Sequence, residues 1–220
     1  MAADTLREHE IFEITLLDAL KSGRFLGPLV FGGGTMLRLC HELNRYSSDL
    51  DFWFAKKTDP KAYFTRLKKF LEERYDVTDA TIKFYTILFE VREKTYPKRL
   101  KIEIRKELKE CEYEERIAFS RYATAQVVVR AMTLGQMMKN KIEASIDRKN
   151  IRDCFDIEFL MRRGVGLGCT EEQKKKLQRI VAGFTDTDYS VTLGSLLEPK
   201  DREFYREQKF AYLKEKLAKS

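Results

Sequence analysis

Residues that bind transition metals or form disulfide frameworks are scarce in this chain. The four cysteines, Cys40, Cys111, Cys154 and Cys169, contain no C-x-x-C pair, and the two histidines, His9 and His41, lie far from any zinc-type spacing. This argues against a zinc module or a disulfide scaffold, and buried free thiols in a reducing cytosol are the expectation. Long apolar runs are missing too, so no membrane span is expected. The opening Met1-Ala2-Ala3-Asp4 leads into a charged helix without a signal-peptide core, which points to the cytoplasm. Internal repeats and low-complexity tracts are absent. Neither sign of charge dominates. With 42 Lys and Arg against 35 Asp and Glu, the net charge of +7 permits a polyanionic partner without demanding one.

What is present suits a folded protein. The 220 residues, 43% of them hydrophobic, provide for one large domain or two small ones. Ile11, Ile14 and Leu17 recur at helical spacing within Leu6 to Leu20 and predict an amphipathic helix that carries structure, not chemistry. Asp59-Pro60 starts a helix to about Tyr75, striped by Phe64, Leu67, Phe70 and Leu71. Thr81 to Arg92 and Arg99 to Glu107 alternate as strands, read as antiparallel neighbours of an acidic strand at Asp49, and Val127 to Val129 adds one more short strand. From Met132 onward the periodicity is helical, broken near Asn150, Gly164 to Gly168 and Gly194 to Pro199, and Lys174-Lys175-Lys176 reads as a solvated helix face. The expected architecture is α/β: a small mixed β-sheet over residues 1–131 and a helical C-terminal domain over 132–220.

The chemistry concentrates between Phe31 and Phe54. An apolar strand (Leu29, Val30, Phe31) gives way through glycines to a helix over Met36 to Leu43, a junction that suits anions because backbone N–H groups approach closely and the helix N-terminus adds partial positive charge. Gly33, Gly34 and Thr35 would then cradle a phosphate through N–H groups and the Thr35 hydroxyl. Downstream, alternation in Asp49-Leu50-Asp51-Phe52 sends Asp49, Asp51 and Trp53 to one face of a strand. Two carboxylates on one face can share Mg²⁺ ions.

Strand, Gly-Gly-Thr, helix and acidic strand together reproduce the nucleotide-binding half of the DNA polymerase β-like nucleotidyltransferases. With Arg45-Tyr46-Ser47-Ser48-Asp49-Leu50-Asp51-Phe52, then Lys141, Ala144 and Arg148, then Arg152-Asp153 and Asp156-Ile157, the chain resembles the AbiEii/AbiGii toxin family from Leu29 to Leu160. Ser48 departs from the pattern, standing where many relatives carry an acidic residue. The resemblance implies transfer of NMP from an NTP with two Mg²⁺ ions held by Asp49, Asp51 and a third carboxylate. Glu103 is the choice for the third because it alternates outward between Ile102 and Ile104; Glu90 and Glu107 are its alternatives. The resemblance also implies that Lys141 binds the triphosphate and that Asp153 serves the catalytic centre as the helical domain closes the nucleotide cleft. Lys141 and Arg148, two helical turns apart, share a face, and Lys139 replaces Lys141 if the register is shifted. Arg45 either contacts phosphate or pairs with a carboxylate, Ser47 is a loop ligand or a turn residue, and Arg152 with Asp156 forms an i,i+4 pair in the structural reading.

The resemblance further implies the tRNA 3′ end as acceptor and a cognate antitoxin protein as partner. One rival is a nucleotidyltransferase acting on a small molecule or a protein hydroxyl. The other is a catalytically silent binding module of the same fold.

Overall fold

The computed structural model describes every residue except Met1, Lys109 and Ser220, so the first residue of the opening segment lies outside the described residues. Helix α1 (Ala2–Ser22) leads to strand β1 (Leu29–Gly32), helix α2 (Gly33–His41), strand β2 (Asp49–Phe54) and helix α3 (Pro60–Glu72). Asp59 caps α3 by accepting from the N–H groups of Lys61 and Ala62, and Pro60 occupies the first turn, where no N–H is needed. Strands β3 (Asp76–Ile82), β4 (Thr86–Arg92), β5 (Leu100–Arg105), β6 (Tyr113–Phe119) and β7 (Gln126–Met132) complete a seven-stranded sheet in the order β3-β4-β5-β2-β1-β7-β6.

The sheet is mixed. β2 lies antiparallel to β1 and parallel to β5, and β1 is parallel to β7. β5 therefore neighbours the acidic strand as expected but runs parallel to it, while β4 is antiparallel to β5 and does not touch β2. The stretch expected as a single strand from Thr81 to Arg92 is instead a turn and most of a hairpin, β3 returning through Lys83, Phe84 and Tyr85 into β4. The Val127–Val129 strand extends to seven residues and pairs with β6, which the sequence reading missed.

One face of the sheet is apolar and covered. Phe54 meets Tyr63 edge-on and Phe89 stacks on Phe64, so α3 lies over Phe54 and Phe89, and Phe52 and Ile104 on the same sheet face are fully or almost fully buried too. In β2 this leaves Asp49, Asp51 and Trp53 on the other face, half-buried.

The chain divides into two compact units. The first comprises residues 1–42 and 46–132, and the second residues 43–45 and 133–220. The second contains α4 (Leu134–Arg148), α5 (Ile151–Arg162), α6 (Glu171–Ala182), a π-helical turn (Asp188–Leu193), a 3₁₀ turn (Gly194–Leu196), α7 (Pro199–Gln208) and α8 (Ala211–Lys219). No described helix is long and apolar enough to cross a membrane. Among the thiols only Cys154 is fully buried; Cys40, Cys111 and Cys169 are half-buried, short of the expectation. Burial pushes the Cys40 and Cys154 thiols up to about 12, so both are neutral at physiological pH.

Candidate active site

Where β1 ends, the backbone turns sharply. Gly33 opens α2 at φ +77°, and a Cβ placed there would clash with Asp51 Oδ2. Only glycine tolerates both the left-handed conformation and this close approach of a carboxylate. Gly34 and Thr35 follow, both buried, and the Thr35 hydroxyl donates to the Asp49 carbonyl at 2.6 Å. The hydroxyl expected to face phosphate thus ties the head of α2 to the head of β2. In consequence the glycine turn and the acidic strand form one rigid corner.

Parallel pairing aligns β5 with this corner, placing Lys101 opposite Asp49 and Glu103 opposite Asp51 on the same face. Glu103 is therefore the alternative with the right register. Glu90 instead bonds Thr78 and Arg99, which hold its carboxyl below the usual range, and Glu107 lies exposed beyond the end of β5. The Glu103 carboxylate accepts from the Lys101 ammonium at 2.7 Å. Lys101 is held more basic than usual, first by that hydrogen bond to Glu103, with Asp49 and Asp51 adding to it. Hard oxygen donors that draw a cationic side chain among them suit Mg²⁺ chemically. Among the described residues no three His, Cys, Asp or Glu side chains already converge as a metal-binding group.

Behind the corner lies a polar cluster that the sequence reading missed. In α1, expected to be purely structural, His9, Glu10 and Glu13 are all buried. His9 Nε2 donates to the Ser48 carbonyl at 3.0 Å, just before the acidic strand, and burial keeps the ring neutral. Glu10 accepts from Arg38 at 2.8 Å and from Ser120 at 2.7 Å. Among the described residues Glu13 Oε1 has no hydrogen-bond partner. Burial, reinforced by the charges of Glu10 and Asp49 and opposed by Arg38, raises the Glu13 carboxyl well above its ordinary range. The available signal was three polar side chains at positions 9, 10 and 13 among apolar neighbours. Ser47 is half-buried beside this segment.

The second unit holds a closed ion-pair chain. Arg45 donates bidentately to Asp156, Nε to Oδ1 at 2.7 Å and Nη2 to Oδ2 at 2.6 Å. Lys141 bridges Asp156 at 2.6 Å and Asp153 at 3.1 Å, and Arg148 donates to both oxygens of Asp153 at 2.6 and 2.7 Å. Asp153 and Asp156 are wholly buried. Burial alone would raise the Asp153 carboxyl, but the Arg148 hydrogen bonds and the Lys141 charge outweigh it and hold the group below its usual range. Of the two open readings of Arg45, the carboxylate pair is the one present. Arg152 bonds Asn150 rather than Asp156, which is already occupied. Lys141 is only 6% exposed, its ammonium closed between two carboxylates instead of reaching outward, whereas the Arg148 side chain is 54% exposed. Lys139 is exposed, as its different face requires.

A family profile described as the nucleotidyl transferase AbiEii toxin of type IV toxin–antitoxin systems matches residues 15–216. No curated protein matches the chain. Among solved structures, JHP933 from Helicobacter pylori is 21% identical, with a TM-score of 0.56 over 98% of this chain and 94% of that one. A candidate nucleotidyltransferase from H. pylori, also 21% identical, has a TM-score of 0.57 over 95% of this chain and 96% of its own. At this identity the likeness concerns the fold, and both structures share it over nearly their full length.

Proposed function

The chain belongs to the AbiEii family of nucleotidyl transferase toxins, and from that premise we propose that it transfers NMP from an NTP to the 3′ hydroxyl of tRNA in a Mg²⁺-dependent reaction. The observation that carries this reading is the corner in which Gly33, at φ +77°, lies against Asp51 with Glu103 in register. Such a corner brings backbone N–H groups of a phosphate-binding turn next to carboxylates, as transfer of a charged phosphoryl group requires.

In the proposed reaction the acceptor oxygen attacks the α-phosphorus, the bond to the bridging oxygen of the β-phosphate breaks, pyrophosphate leaves and the hydroxyl proton is released. Asp49 and Asp51, with Glu103 once Lys101 releases it, would hold the Mg²⁺, which supplies charge neutralisation and Lewis acidity when bound. Gly33 and Gly34 bind phosphate through N–H groups, and Thr35 positions the turn. Lys141 and Asp153 are assigned as positioning residues, and Arg148, the exposed cation of their cluster, as the phosphate contact. A cognate antitoxin follows from the type IV toxin–antitoxin description, and the cytoplasm from the NTP and tRNA pools.

The test is to incubate the full chain with tRNA, Mg²⁺ and each α-labelled NTP in turn. Label should appear at the RNA 3′ end, vanish with periodate-treated tRNA and vanish in Asp49→Asn and Asp51→Asn. Transfer that persists in both variants would remove the metal assignment. Labelling of protein or small molecules only would replace the acceptor.

A further inference from the structure

Away from the ion-pair chain, two helices of the second unit meet along matched faces. Helix α6 turns Lys176, Arg179 and Ile180 to one side, at positions three and four apart, and they share the groove with Ile146 of α4 and with Lys149, the residue that caps the C-terminus of α4. Together with Phe184 and Asp188 they line a groove of about 670 Å³. We infer that this groove docks a single-stranded segment of RNA, bases against the apolar floor and phosphates against the cations.

The lining has the two chemistries a nucleotide needs. Ile146, Ile180 and the half-buried Phe184 ring offer a surface for a flat base, and Phe184 is braced edge-on by Tyr189 and Phe210. Three cations flank this floor against a single acid. The carboxylate of that acid, Asp188, already accepts from the Thr185 N–H and hydroxyl, both at 2.8 Å, where it shapes the turn entering the π-helix. π-helical turns are rare and often accompany functional sites. Lys176 also pairs with Glu172 at 2.7 Å, but those side chains are 48% and 78% exposed, so a phosphate can displace the pair at little cost. The charge balance of the whole unit agrees: it carries 19 Lys and Arg against 14 Asp and Glu. An acidic peptide would satisfy the cations and leave the ring unused, and free phosphate would leave the floor bare.

This inference rests on the RNA-acceptor reading, and its test separates the two. Fluorescence anisotropy with a labelled ten-nucleotide single-stranded RNA is measured across a salt series, with tRNA labelling assayed in parallel. The double variant Lys149→Gln/Arg179→Gln should bind roughly tenfold or more weakly, with a salt slope shallower by about 2. Phe184→Leu, which keeps apolar volume but loses the ring, should weaken binding roughly fivefold or more. The exposed pair Lys61→Gln/Lys69→Gln on α3 should change little. Groove variants that bind like the unaltered chain, or a control that loses as much, overturn the groove even if tRNA labelling stands. Groove-dependent binding with no labelling supports the groove and rejects tRNA as acceptor. Absence of both binding and labelling rejects both.

Discussion

Lys101 shows how much one residue's meaning depends on its neighbour across the sheet. Its sequence context, Leu100-Lys101-Ile102-Glu103, reads only as a polar position on an alternating strand. Parallel register sets it opposite Asp49, with its ammonium 2.7 Å from Glu103, so it acts as a tethered counter-cation for three carboxylates. A divalent ion would have to displace it. Lys101→Met should therefore bind Mg²⁺ more tightly, by up to about fivefold, since a partly exposed pair contributes at most about 1 kcal/mol. Calorimetric titration of the nucleotide-free protein measures this, and equal or weaker affinity rejects the counter-cation role. Asp49 and Asp51 were legible because a strand's period of two is local. The Gly33 turn was legible as a glycine junction, but its approach to Asp51 was not. Thr35 and Lys141 were recognised as members of a motif, yet their bonding to the Asp49 carbonyl and to Asp153 and Asp156 depends on tertiary packing that no short motif encodes.

At the scale of elements, α1 and the edge strands were misread for physical reasons. The reading of α1 followed its apolar stripe, and nothing local says that His9 and Glu13 fall behind the acidic strand. β6 was missed because it is an edge strand with only Ala118 buried, leaving no alternation to read. The buried cluster has a pH consequence. Glu13 has a raised carboxyl in the fold, so its contribution to stability is fully present below the unfolded value, 4.5, and is lost as pH rises through the folded value. Glu13→Gln removes this titration while keeping the shape. The variant should melt close to the unaltered chain near pH 4.5, then exceed it by a margin that widens as pH rises. His9, Glu10, Arg38 and Asp49 face the same site in both proteins, so the difference between the two melting curves isolates Glu13. A margin independent of pH would mean that Glu13 is already ionised in the fold.

Over the whole molecule, the main part of the second unit starts at Thr133, and residues 43–45 belong to that unit as well. A linear reading cannot detect this, because the attachment runs through Arg45, whose backbone bridges Leu197 and whose side chain reaches a carboxylate 111 positions away. Asp156 is wholly buried and depends on Arg45 and Lys141 for its charge balance. Removing one partner of such a pair typically costs about 3–5 kcal/mol, because the remaining charge stays buried. Arg45→Met should therefore sharply reduce the amide hydrogen-exchange protection of α5, even though the altered residue lies in the first quarter of the sequence. Asp156→Asn alone should do the same. In the Arg45→Met background it should add little or restore protection, since the orphaned charge is gone, giving a coupling of roughly 1–3 kcal/mol. Additive losses would mean that Arg45 acts on the second unit without pairing to Asp156, and the assignment of residues 43–45 to that unit would lose its electrostatic basis.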